Sequence, residues 1–413
     1  MVTARAAVLR APDQPYRIED VTVAEPLSGQ VLVRVMAAGM CHTDLTGRSG
    51  ALGASFLPAI LGHEGAGEVA AIGSEVSGLA VGDRVVVSFD SCGSCGNCAE
   101  GIPAYCDEFE LRNISGVGPS GTPTAHDASG AALTSRWFGQ SSFSQFAVGT
   151  ARNVVRIDSD VPFELAAPLG CGVLTGAGAV FNEMDLHTGQ SIAVFGAGAV
   201  GLAAVMAARL RGAGDIVAID LNPDRLRLAT ELGATRTIDG ADPDLIDAVI
   251  GDGAGVDFAL DTTGVGPVMA AAVAVLARPG LCVLVGAGAD SLTVFPPSMV
   301  GRRIAYIYEG SADPQQLVPE LVAHWRAGVF PIDRLVTTFP LEAVNDAERA
   351  SLDGDAIKPV LLLDPPVYEP EESHAGVDHA PPARAGRFDL STTSMRVVLK
   401  DPTARAIFDE LVP

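Results

Sequence analysis

Lysine is almost missing from this chain: Lys358 and Lys400 are the only two in 413 residues, and 27 basic side chains face 50 acidic ones for a net charge of −23. Phosphate backbones are held by clusters of Lys and Arg, so this balance argues against a nucleic-acid partner. The same charge would repel an anionic membrane face. A long uninterrupted apolar run is also lacking. The nearest, IAVFGAGAVGLAAVMAA from Ile192, is punctuated by Gly196, Gly198 and Gly201, which suits a strand, turn and helix better than a bilayer span. No basic, apolar and cleavable leader opens the sequence, so the expectation is a cytoplasmic protein with reduced thiols and no membrane partner. Aromatics are scarce at 5%, whereas 46 glycines and 48% hydrophobic residues point to an α/β protein with tight turns and closely packed helices. The length allows two or three domains, each with its own core.

Four of the seven cysteines crowd into SCGSCGNCAEGIPAYC. The spacing of Cys92, Cys95, Cys98 and Cys106 lets a short lobe, residues 91–106, wrap four thiolates around one tetrahedral ion. Zinc suits the site best, although sulfur softness would also admit an iron–sulfur cluster. Cys282, in LCVLVG, reads as a small core residue. Cys41 opens CHTD after the alternating run VLVRVMAAG, Cys171 lies in PLGCGVLTG, and His63 precedes Glu64 in LGHEGAGEV. Taken singly, each of these three is more often an ordinary buried residue. Together, two thiolates and an imidazole leave one tetrahedral position open, the arrangement of a catalytic zinc.

From Ser191 the chain reads SIAVFGAGAVGLAAVMAARLRGAGDIVAID, a β-rich run, G-x-G-x-x-G, a helical stretch and a second strand ending at Asp220. Gly196 suits the tight turn, Gly198 the close approach of a pyrophosphate, and Gly201 the packing of helix on strand. The Asp220 carboxylate can accept hydrogen bonds from an unphosphorylated ribose and would repel a 2′-phosphate, which favours NAD over NADP. Thr263 and Gly264 follow the next strand, DFALD, and would face the cofactor.

In their order along the chain, CHTD, LGHEGAGEV, the four-cysteine lobe, PLGCGVLTG and FGAGAVG resemble the zinc-dependent medium-chain alcohol dehydrogenases, over about residues 5 to 364. WFGQSSF and IKPVLLL are similar to the bacterial aryl-alcohol, or benzyl-alcohol, branch. The resemblance implies an α/β fold with a β-rich GroES-like catalytic domain, residues 1–172 and 308–363, and a Rossmann doubly wound parallel-sheet NAD domain, residues 173–307. It implies two zinc ions per subunit, a catalytic one on Cys41, His63 and Cys171 and a structural one on the lobe. Glu64 would be a carboxylate able to exchange onto the catalytic metal, and Asp44 would orient its histidine. His42 and Lys358 match positions at the cofactor pyrophosphate, Arg225 one beside the adenosine ribose, and Thr175 and Val200 positions against the nicotinamide. Phe89, Trp137 and Phe138 would line the substrate pocket.

The reaction so implied is reversible oxidation of primary aromatic or allylic alcohols to aldehydes, the hydride passing to NAD from an alkoxide stabilised by zinc and the proton leaving through Thr43. A relay histidine is replaced by Thr46, so protons are expected to reach solvent through water or another base. The alternatives are a thiol-dependent formaldehyde dehydrogenase of the same family and a non-catalytic scaffold. A homodimer or homotetramer is expected. Residues 364–387 read as a Pro- and acid-rich linker, and residues 388–413 as a short segment of unassigned role that could dock on the enzyme's own surface, mediate assembly or recruit a partner.

Overall fold

The structure, a computed structural model, describes residues 1–50, 56–288 and 290–364. The β-rich runs that alternate with helices after residue 190 form a six-stranded parallel sheet. Its strands are Ser191–Phe195, Asp215–Asp220, Arg236–Asp239, Val256–Asp261, Leu276–Leu284 and Arg302–Tyr306. The Ser191–Phe195 strand pairs with Asp215–Asp220 on one side and Val256–Asp261 on the other, so the strand order reverses there and opens a crevice at the carboxyl ends. Ile192 to Phe195 are all buried, as expected where helices cover both faces of a parallel sheet.

Helix Ala199–Leu210 follows the glycine turn and is buried along most of its length. Its Ala and Gly composition lets helix Gly172–Gly178 approach closely. A Cβ on Gly176 would collide with the Val200 carbonyl. Among the described residues no single helix is long and apolar enough to cross a membrane.

Other described residues build two antiparallel-rich sheets, of five and seven strands. The seven-stranded sheet turns on Gln30–Gly39, which pairs with Glu64–Ile72, with Phe146–Thr150 and with Lys358–Leu362. Register then does the positioning. Gly39 opposite Glu64 brings Cys41 beside His63, and Gly39 opposite Val360 brings Lys358 beneath both. The expected linker and terminal segment lie, apart from Asp364, outside the described residues.

Candidate active site

Helix His42–Arg48 begins at Cys41, whose extended backbone turns the chain out of the strand. Asp44, one turn in, is buried and organises the surroundings. Its Oδ2 accepts from the Cys41 N–H at 3.1 Å. Its Oδ1 faces His63 Nδ1 at 2.8 Å and accepts from the Gly62 N–H and from Trp137 Nε1 at 2.9 Å. Gly62 supplies the sharp turn before His63, with φ at 87°, and an added Cβ would run into Phe143.

With Nδ1 held by Asp44, His63 Nε2 is buried and has no hydrogen-bond partner. It lies with the Cys41 and Cys171 thiols in a group whose ligand atoms are all within 4.8 Å of one another. A buried ring nitrogen left unpaired costs about 1–3 kcal/mol, and a Cys₂His donor set is what a zinc ion with one open position requires. The site therefore fits that metal. The Cys171 thiol drives Cys41 well below the usual thiol range against the effect of burial, helped by Lys358 and His63. Cys171 is raised by the same thiol pairing and by burial. Burial disfavours a charged His63, but Asp44 and Cys41 outweigh it and raise its pKa.

Two more buried carboxylates flank the cluster. Glu64 receives Lys358 Nζ at 2.8 and 2.9 Å on its two oxygens and the Gly172 N–H at 2.8 Å. Burial pushes Glu64 up to about 7 against the pull of Lys358. Glu309 lies past the last parallel strand with φ at 51°. The Cys171 thiol faces its Oε1 at 3.8 Å, and burial raises this carboxyl to about 7 as well.

A cavity of about 380 Å³ joins this cluster to the crevice of the parallel sheet. Cys41, His42, Thr43, Phe138, Cys171 and Thr175 line one part, and Gly196, Gly198, Val200, Asp220, Arg225 and Thr263 the other. Gly201 lies behind the glycine turn, against the Gly196 carbonyl. Gly264 is buried where its N–H meets Asp261 Oδ2 at 3.0 Å. Asp220 steadies the turn through the Ala197 N–H at 2.6 Å. Lys358 borders the cavity, and its ammonium bonds to Glu64 and the Met40 carbonyl.

Two of the three expected pocket aromatics point elsewhere. Trp137 is fully buried because its indole N–H is committed to Asp44, and Phe89 packs against Phe109 and borders a smaller cavity by the cysteine lobe. Only Phe138 lines the main cavity, stacked on His63 at 4.5 Å. Phe109 and Tyr308 complete the wall as a parallel stack at 4.8 Å. They were not foreseen, since no motif joins residues 199 positions apart. Glu309 was legible in principle: it is a lone acid after the apolar run IAYIY, at the end of a parallel strand where ligands bind. Thr46 is outside the cavity lining.

The four lobe cysteines also converge within 4.8 Å. Cys92 Sγ accepts from the Ser94 and Cys95 N–H groups at 3.4 and 3.2 Å, and Cys106 Sγ from those of Cys92 and Glu108 at 3.2 and 3.4 Å. Against burial, these donors bring Cys92 down to about 6. Backbone N–H groups aimed at sulfur stabilise thiolates, the form in which cysteine binds a metal.

Residues 27–159 match the alcohol dehydrogenase GroES-like domain and residues 199–323 the zinc-binding dehydrogenase domain. The geraniol dehydrogenase of Castellaniella defragrans is 42% identical over 372 residues, covering 88% of this chain and 98% of that protein. A zinc-binding-domain alcohol dehydrogenase from Burkholderia ambifaria superposes with a TM-score of 0.85 at 43% identity, over 88% of this chain and 99% of the other. Benzyl alcohol dehydrogenase from Acinetobacter calcoaceticus superposes with a TM-score of 0.84 at 38% identity, over 88% and 100%.

Proposed function

Because the chain belongs to the zinc-dependent medium-chain alcohol dehydrogenases, and is an NAD-dependent enzyme of that kind, we propose that it interconverts primary aromatic or allylic alcohols and their aldehydes. The observation that carries the substrate class is the cavity wall: Phe138 stacked on His63 and Phe109 stacked on Tyr308 offer flat apolar faces beside the ligand cluster. Such faces suit a benzyl ring or an allylic chain. The geraniol and benzyl alcohol dehydrogenases among its relatives agree with that choice.

In this reading Cys41, His63 and Cys171 hold one zinc ion and the four lobe cysteines a second. When bound, zinc would supply Lewis acidity at the alcohol oxygen and NAD a hydride acceptor. Asp44 Oδ1, 2.8 Å from His63 Nδ1, would accept the proton of that nitrogen and so leave Nε2 to the metal. Thr43 Oγ1, in the cavity and 3.8 Å from Cys41 Sγ, is the hydroxyl placed to take the alcohol proton. Thr175 and Val200 border the space for the nicotinamide, and the Gly196–Gly198 turn with the start of helix Ala199–Leu210 borders that for the pyrophosphate. The aromatic wall excludes water from the reacting end.

An acidic thiol adduct of formaldehyde would instead meet Glu309 there. Among the described cavity residues Lys358 is bound to Glu64, and Arg225 borders the Asp220 end. The test is a panel of benzyl, cinnamyl, geranyl and short aliphatic alcohols with NAD and with NADP, followed by absorbance of the reduced cofactor alongside metal content. Benzyl, cinnamyl or geranyl alcohol with NAD should give the highest kcat/KM. Preference for short aliphatic alcohols, or turnover only with added glutathione, would overturn the substrate reading.

A further inference from the structure

The two buried carboxylates beside the ligand cluster differ in what they are free to do. Glu64 is fully committed: both oxygens are bonded to Lys358 Nζ, and one also accepts the Gly172 N–H. Swinging it toward the thiols would strip a buried ammonium of its counter-charge, leaving Lys358 only the Met40 carbonyl. Glu309 has no such tie. It is 7% exposed, its Oε2 is buried with no hydrogen-bond partner, and its Oε1 meets only the Cys171 thiol. No basic side chain is paired with it among the described residues, and it borders the same cavity as Cys41 and Cys171.

Its backbone also marks it out. Glu309, Gly310 and Ser311 take φ of 51°, 65° and 52° in succession. Two of the three are L-residues in the left-handed region, a conformation kept where the surroundings hold it in place. The turn is clamped: Gly310 packs on the Thr175 and Leu174 carbonyls, and Ser311 Oγ bridges Tyr105 Oη at 2.7 Å and Glu183 Oε2 at 2.8 Å. A buried carboxylate oxygen without a donor is costly unless a cation or a donor meets it.

We propose that Glu309, rather than Glu64, is the carboxylate that occupies the open position of a metal held by Cys41, His63 and Cys171 whenever no alcohol fills it, so that substrate binds by displacing it. The inference rests on the reading of those three residues as ligands. It assigns Glu309 the role of an exchanging ligand, and it explains why the acid sits beside Cys171 without a cation of its own.

Cobalt replacement of the metals in the full-length protein tests it. Wild type, Glu309→Gln, Glu309→Gly and Glu64→Gln are compared by metal content, by visible ligand-field absorption and by titration with imidazole as a competing ligand. Gln keeps the packing, and Gly suits a backbone at positive φ, so at least one Glu309 variant should fold. Expected is a shifted ligand-field spectrum and severalfold tighter imidazole binding in the Glu309 variants, because only water then has to leave, with Glu64→Gln close to wild type. Two cobalt ions per chain but an unchanged spectrum in both Glu309 variants, or a shift in Glu64→Gln alone, would overturn the proposal while leaving the metal site standing. Only one ion per chain, held by the cysteine lobe, would instead sink the ligand reading beneath it.

Discussion

At the scale of single residues, the site is built on groups that have been deprived of water and given one designated partner. Lys358, one of two lysines in the chain, is buried against a carboxylate that is itself fully buried. Removing one member of such a pair typically costs about 3–5 kcal/mol, because the other is left as a buried charge. Glu64 has an escape, since burial already lifts it to about 7. Without Lys358 its folded pKa would rise further, so the native state would bind a proton that the unfolded state releases above about pH 4.3. Stability then falls as pH rises through that interval. Lys358→Met should therefore be destabilised relative to wild type more at pH 8 than at pH 6 in urea unfolding. Lys358→Met combined with Glu64→Gln should recover most of the loss. Equal destabilisation at both pH values would mean that Glu64 does not take up the slack.

At the scale of elements, the glycine turn shows why some of the molecule could be read in advance. Gly196 and Gly201 act through local geometry: Gly196 has φ of 93°, and a Cβ on Gly201 would overlap the Gly196 carbonyl and press on Val194. Requirements of that kind are written in adjacent residues, as are the spacing of the lobe cysteines and the strand ends that carry Cys41 and His63. The side-chain directions of Phe89 and Trp137 were not legible. Both leave irregular segments, and distant partners, Phe109 and Asp44, decide where they point. The pairing of Phe109 with Tyr308 depends on two segments far apart in the sequence meeting within one compact unit. Gly198 offers a contrast within the turn, because a Cβ there meets nothing within 4 Å. Gly201→Ala should lose about 1–3 kcal/mol through overpacking and also weaken NAD binding by moving helix Ala199–Leu210. Gly198→Ala should keep its unfolding midpoint and lose only cofactor affinity, where the pyrophosphate needs the space. Unfolding curves and fluorescence titration with NAD separate the two, and equal loss of stability in both would contradict these roles.

At the scale of the whole molecule, the cysteine lobe is more than a remote appendage, because three contacts carry its position to the wall of the main cavity. Tyr105, between the third and fourth cysteines in sequence and one residue before Cys106, reaches Ser311 and through it Glu183 on the segment that leads from Cys171 toward the parallel sheet. Phe109, at the start of helix Phe109–Asn113, stacks on Tyr308 and meets Phe138 edge-on at 6.3 Å. Burial raises the Cys98 thiol and pushes Cys106 up to about 12, so without a cation the four cysteines do not all stay thiolates and the bonds that would tie the lobe together are lost. Loss of its metal should then displace Phe109 and slacken the Glu309–Ser311 turn, while Asp44, His63 and the glycine turn, held by other elements, stay in place. Cys95→Ser should accordingly retain close to one zinc ion per chain and an unchanged KM for NAD, yet show a raised KM for benzyl alcohol and faster protease cleavage between residues 91 and 113. Tyr105→Phe, which keeps all four cysteines, should reproduce a weaker form of the KM change without loss of metal. An alcohol KM unaltered in both variants would show that the wall is set by the parallel sheet alone and that the lobe stabilises only itself.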